Sequence, residues 1–283
     1  TGSPLWAVIG AVFVLGGGGG KGACQVGMLR AVIEQGIRAD AVVGVSVGAL
    51  NGAVYAATPD RSAIERLADL WEHLDEGSLF PKRRLGNTWR YAQRAVSVFP
   101  EQGLKQLIND HFPLADISDT TIPIHVLCAK YDTGAEVWFD RGKPDEVLYA
   151  SAAIPGVFPP LVRDGVTLID GGIVDDAPLS RAIELEATDV YLFLCGTTYG
   201  RLSPPNRPLE ALMRTAGHAK LARLRSEIAH LPSGVSLTIL DCPDAAGIEA
   251  LDFSRRKDLL KAGYERTMGI LNGDIKVEPL SEP

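Results

Sequence analysis

Three stretches of the chain carry residue types suited to acyl transfer. Ser46 sits in Gly44-Val45-Ser46-Val47-Gly48, after the apolar run Ala41-Val42-Val43 and before the small-residue stretch Ala49-Leu50-Asn51-Gly52-Ala53. That order predicts a strand, a sharp turn and a helix. A serine on such a turn is lifted out of the backbone at a strand end, and the flanking glycines leave room for a substrate. Gly16-Gly17-Gly18-Gly19-Gly20-Lys21-Gly22 ends an earlier apolar run and opens a helical one. Asp170 ends the run Val166-Thr167-Leu168-Ile169 and is followed by Gly171-Gly172. Each stretch alone is also an ordinary glycine-rich turn, so the argument rests on their combination.

The glycine run admits three chemistries. A P-loop needs a glycine six residues before the lysine and Ser or Thr after it, and Leu15 and Gly22 occupy those positions. A dinucleotide fingerprint drawn as Gly17-x-Gly19-x-x-Gly22 needs an acid at the end of the second strand, but Asp40 precedes that strand. The remaining reading is an oxyanion hole. Successive N–H groups of a glycine run converge on one oxygen, and the following helix N-terminus adds positive potential. Lys21 adds charge there or anchors the loop. One strand–helix unit separates Gly19 from Ser46, which places both loops at one sheet edge.

A serine nucleophile needs a proton acceptor within reach. In a Ser-Asp-His triad of this fold class the histidine comes last, which leaves His218 and His230, and both fall inside a helical pattern. His73, His111 and His125 precede Asp170 and have no glycine-rich loop context. Asp170 is the better candidate, because it ends a strand at the working edge with glycines making room; placed beside the serine in a partly dry pocket, its charged form would be disfavoured and its basicity raised. Asp175 and Asp176 follow closely and compete for the assignment.

The elements that would position these loops alternate. Strand signals fall at about 7–15, 41–45, 122–130, 135–140, 166–169, 189–195 and 235–241. Helical patterns cover Ala23 to Gln35, Asp60 to Leu74, Pro208 to Leu231 and Ser254 to Leu271. This predicts an α/β fold with a central, mostly parallel sheet covered on both faces, its working site at the carboxyl ends of the strands. Residues 77–100 break the alternation with Lys82, Arg83, Arg84, Arg90 and Arg94 among Phe80, Trp89, Tyr91 and Phe99. They suit a packed cap or loop, or a lid whose basic-aromatic face meets lipid headgroups.

Bulk properties narrow the classes. The chain has 283 residues, 46% of them hydrophobic, enough for one large α/β domain. A net charge of −7 argues against a nucleic-acid partner held through phosphates. The four cysteines have no C-x-x-C pair, which suits a reducing, cytoplasmic setting, and the five histidines lack metal-ligand spacing. Leu5 to Leu15 is too short to span a bilayer and has no basic region before it, so no signal peptide or membrane span is expected.

Together the three loops resemble the patatin-like phospholipase family. The matching residues are Gly17-Gly18-Gly19-Gly20-Lys21-Gly22, Gly44-Val45-Ser46-Val47-Gly48 and Asp170-Gly171-Gly172. Val26-Gly27-Met28-Leu29, Gln35-Gly36-Ile37 and the segment from Ala150 to Pro160 also look like the family. The resemblance implies a three-layer fold over a single domain, with a motif-bearing core at about 8–196, an extension at 208–272 and a cap at 77–100. It implies Ser46 as nucleophile, Asp170 as base, and an oxyanion hole at Gly17, Gly18 and Gly19. Gly20, Lys21, Gly22, Gly44, Gly48, Gly171 and Gly172 would support them. The implied substrate is a lipid or phospholipid ester, cleaved without metal or organic cofactor, with peripheral membrane contact through 77–100. Asp175-Asp176 stands where relatives often carry asparagine, and extra carboxylates there disfavour anionic headgroups. An acyltransferase with the same dyad, a non-catalytic lipid-binding or interaction protein, and a Ser-His-Asp esterase are the rivals.

Overall fold

Short runs of β-branched and aromatic residues form the strands of this computed structural model, which describes residues 9–80, 97–195 and 208–277, with side chains except at 208–214 and 216. β1 (Ala11–Leu15) leads through the glycine run and a 3-10 turn (Gly19–Gly22) into α1 (Ala23–Glu34). β2 (Ala41–Val45) leads through Ser46 into α2 (Val47–Ala57), followed by α3 (Arg61–His73) and α4 (Glu76–Leu79). Next come α5 (Gln102–His111), β3 (Ile124–Lys130), β4 (Glu136–Phe139), α6 (Pro144–Ser151), β5 (Leu161–Arg163) and β6 (Val166–Asp170). The remaining elements are α7 (Leu179–Glu184), β7 (Asp189–Phe193), α8 (Pro208–Ala229), β8 (Ser236–Leu240) and α9 (Arg256–Leu271).

The described strands make one sheet in the order β5-β6-β3-β2-β1-β7-β8, with β4 also paired to β3. The pairs β3–β2, β2–β1, β1–β7 and β7–β8 are parallel, whereas β4 and β6 pair antiparallel with β3. Alternate strand residues separate two cores. Phe13, Leu15 and Val42 pack with Met28, Leu29, Val54 and Leu67 of α1 to α3. Val12, Val14, Ala41, Val43, Val190 and Leu192 pack with Leu179, Ala182 and Leu224 of α7 and α8. Helices therefore cover both faces, as a parallel sheet requires.

The register at β3 brings two chain ends together. Val126 and Leu127 pair with both β2 and β4, and Cys128 and Ala129 pair with both β4 and β6. A strand has only two edges, so β2 and β6 follow one another along the same edge. Val45 lies opposite Leu127 and Asp170 opposite Cys128, on successive residues of β3. The residue after Val45 is Ser46.

The lid expected at 77–100 falls mostly on residues 81–96, outside the described residues. Its flanks pack inward: the Phe80 ring lies 4.9 Å from Phe99, 5.6 Å from Phe253 and 5.9 Å from Phe158 between centroids. Among the described residues no helix is long and apolar enough to cross a membrane.

Candidate active site

Ser46 adopts φ 54° and ψ −129° between the end of β2 and the start of α2. A non-glycine residue rarely enters this region, and it persists only where its surroundings enforce it. The Ser151 hydroxyl supplies one restraint. It accepts the Ser46 N–H at 3.0 Å and donates to the Leu127 carbonyl at 2.7 Å. Gly48 supplies another, because a Cβ there would run into the Leu15 carbonyl, so α2 can lie close against the end of β1.

Asp170 closes the pair. The Ser46 hydroxyl donates to Asp170 Oδ2 at 2.7 Å, and the Gly172 N–H donates to Oδ1 at 2.7 Å. Asp170 is only 3% exposed. Burial pushes its carboxyl up to about 7 against the pull of the Ser46 and Gly172 hydrogen bonds, with nearby Asp176 adding to the rise and Lys220 opposing it. Among the described residues no histidine hydrogen-bonds to either residue. His218 and His230 are exposed, at α8 and just past its end. His125 packs beside Arg181 at 3.3 Å and His73 pairs with Asp69 at 3.1 Å. A hydroxyl hydrogen-bonded to a dry carboxylate of raised basicity can lose its proton as it attacks an acyl carbon.

The glycine loop sorts its own amides. Gly16 N–H donates to Phe193 O, Gly17 N–H to Asp176 O at 2.9 Å, Gly20 N–H to Ala250 O at 2.7 Å, and Lys21 N–H to Gly18 O. The N–H groups of Gly18 and Gly19 have no partner among the described residues, and Gly19, at φ 59°, lines the same pocket as Ser46. Gly17, expected among the oxyanion donors, has another partner in this structure. Its N–H is committed to the Asp176 carbonyl, and its missing side chain instead leaves space for the Asp176 carboxylate. Of the supporting glycines, Gly22 packs on Val47 and Trp71, Gly44 on Ala49, and Gly171 on Leu127. Lys21 lies half-buried in the 3-10 turn.

Ser46 opens into an apolar cavity. Val54, Leu67, Leu70, Leu104, Ile108 and Phe158 are among its walls. A cavity of this lining suits a hydrocarbon chain, and the Ser46 side chain is part of its wall.

Several participants were not visible as such in the sequence. Lys220 of α8 donates to the Gly172 carbonyl at 2.9 Å and pairs with Asp176 at 3.5 Å. Arg223 pairs with Asp175 at 2.8 Å and with Glu136 and Glu227. Asp175 is buried, which pushes it up to about 7 against the Arg223 charge. Asp175 and Asp176 thus each meet a cation from one helix. The spacing of Lys220 and Arg223 on one helix face was the available signal.

A family model described as Patatin-like phospholipase matches residues 13–183. A patatin-like phospholipase domain-containing protein of Caenorhabditis elegans is 34% identical over 173 residues, covering 58% of this chain and 12% of that protein. Neuropathy target esterase sws of Drosophila melanogaster is 32% identical over 186 residues, covering 62% of this chain and 12% of that protein. The chain thus spans a small fraction of these relatives. Among solved structures, VipD from Legionella pneumophila matches with a TM-score of 0.55 at 15% identity, covering 94% of this chain and 67% of that one. That likeness bears on the fold: a mostly parallel central sheet between helical layers.

Proposed function

Because the chain belongs to the patatin-like phospholipase family, we propose that it is a serine lipid acyl hydrolase of the phospholipase A or lysophospholipase kind, working through a Ser46–Asp170 dyad. The observation that carries this reading is the 2.7 Å hydrogen bond to Asp170 Oδ2 from the Oγ of Ser46, a residue that lines an apolar cavity.

Asp170 takes the Ser46 proton as Oγ attacks the ester carbonyl. The Gly18 and Gly19 amides hold the resulting oxyanion, and the positive end of α2 lies beside it. The tetrahedral adduct collapses, the bond to the alcohol breaks, and Asp170 returns the proton to the leaving oxygen. Water then attacks acyl-Ser46, with Asp170 as base again. The fatty acid leaves and the serine regains its proton. Every proton is carried by one carboxylate, and the cycle needs no metal or organic cofactor. The cavity holds the acyl chain, and the ester approaches from a lipid surface in a reducing, cytoplasmic setting.

Hydrolysis of a panel of acyl esters and covalent labelling by a fluorophosphonate probe test this reading. Ser46→Ala abolishes both, and Asp170→Asn lowers turnover by about 10²- to 10⁴-fold. Wild-type rates and labelling in Ser46→Ala would end the proposal.

A further inference from the structure

A buried hydrogen-bond chain ties the wall of the acyl cavity to both ends of the glycine loop. Trp71 of α3 lines the cavity and stacks on Phe253, 6.1 Å between ring centroids. Its Nε1–H donates to Asn51 Oδ1 at 3.0 Å. Asn51 Nδ2 donates to Gly22 O and to Gln25 Oε1, both at 3.0 Å. Gln25 Nε2 donates to Gly16 O at 2.7 Å and more weakly to Phe193 O at 3.4 Å. Trp71, Asn51 and Gln25 are 5%, 2% and 0% exposed, so water has little access to any of these bonds.

The chain has a direction. An indole N–H can only donate, whereas a primary amide can turn over and exchange its donor and acceptor ends. With Trp71 donating, Asn51 must present its oxygen to the indole and its NH₂ to Gly22 and Gln25. Gln25 must then present its oxygen to Asn51 and its NH₂ to Gly16. Gly16 and Gly22 bracket the loop whose Gly18 and Gly19 amides have no partner among the described residues. Reversing either amide would set oxygen against oxygen in a dry site, which is strongly unfavourable.

We infer that Gln25, Asn51 and Trp71 are positioning residues that fix the oxyanion loop: the Gly16 and Gly22 carbonyls and the indole N–H of Trp71 agree on one orientation of both amides, and Trp71 anchors the chain at its cavity end. Trp71 then does two things: its ring is cavity wall, and its N–H anchors the chain that holds the oxyanion donors. The inference rests on the proposed dyad chemistry.

Trp71→Phe separates the two roles, because phenylalanine keeps an apolar wall and removes the donor. Its kcat on a short acyl ester falls about 10- to 10²-fold, the scale expected when a distant change misplaces reacting groups. KM for that ester stays close to wild type. The fluorophosphonate reaction slows to match but reaches full stoichiometry, which separates a displaced loop from an unfolded fraction. Gln25→Met gives the same pattern by cutting the chain at its other end. Wild-type labelling rates in Trp71→Phe, or a loss confined to KM, overturn the inference while leaving the dyad intact. A wild-type protein that neither labels nor hydrolyses overturns the dyad and this inference together.

Discussion

Ser46 holds its hydroxyl in a backbone conformation that costs of order 1–3 kcal/mol, and Asp170 holds a carboxyl that burial keeps partly protonated near neutrality. The same burial that would make Asp170 an effective base also makes it a stability liability. Its pKa is raised from 3.8 in an exposed chain to about 7 in the fold. Between those values the folded state binds more protons than the unfolded one, so stability falls as pH rises from about 4 to about 7 and then levels. Activity runs the other way, because the proposed base works only when ionised. The acidic limb of kcat/KM is expected near pH 7. Asp170→Asn is therefore expected to lose turnover yet melt higher than wild type at pH 8, with a smaller gain at pH 5. Thermal melts at the two pH values check this. An equal effect at both would show that the carboxylate does not carry the cost. Asp175, raised to about 7 in the same way, stays in both proteins and so drops out of the comparison.

Helix α8 shows how one element can tune a residue it does not contain. Lys220 holds the Gly172 carbonyl and the Asp176 carboxylate, and Asp176 in turn accepts the Gly17 N–H through its own carbonyl. The glycine loop and the Asp170 loop are thus joined through one residue that α8 restrains. The charged groups facing Asp170 are Asp176, which raises its pKa, and Lys220, which lowers it. Asp176→Asn is expected to move the acidic limb of kcat/KM to lower pH, and Lys220→Met to higher pH. A pH–rate series on both variants tests this, and shifts in the same direction would contradict it. None of this tuning was legible beforehand, for a physical reason. Lysine and arginine on a helix face ordinarily signal solvent, and the Gly172, Asp175 and Asp176 groups they hold lie 44 to 48 residues away in the chain. The elbow and the glycine loop were legible because small residues at fixed offsets report a local backbone requirement. β5 was missed because Leu161–Arg163 is too short to set up a periodicity. The meeting of β2 and β6 on one edge of β3 was missed because antiparallel pairing leaves no mark in the composition of a strand.

Across the whole molecule, the loop that faces Ser46 depends on chain well beyond the segment the family model matches, which ends at residue 183. The Ala250 carbonyl accepts the Gly20 N–H at 2.7 Å, and Phe253 and Leu251 line the apolar cavity beside Ser46. These residues lead directly into α9, which lies against α1 with almost no space between the backbones. A Cβ on Gly263 would come 2.9 Å from the Cys24 carbonyl carbon and closer still to its oxygen, and one on Gly27 would meet the Leu260 carbonyl. Backbone cannot rotate away as a side chain can, so Gly263→Ala must push α9 off α1. Overpacking of this kind typically costs about 1–3 kcal/mol. Because α9 carries the 250–253 segment with it, the same variant is expected to lower kcat as well as the melting temperature. Gly217→Ala in α8 is the matched control. Its Cβ enters open space, and alanine in a helix interior gains up to about 1 kcal/mol over glycine. Melting curves and kcat for the two variants decide the matter. A Gly263→Ala protein that melts lower but turns over at the wild-type rate would separate α9 from the oxyanion loop. One that falls in both, beside a Gly217→Ala protein that falls in neither, would join the C-terminal helix to the chemistry at Ser46.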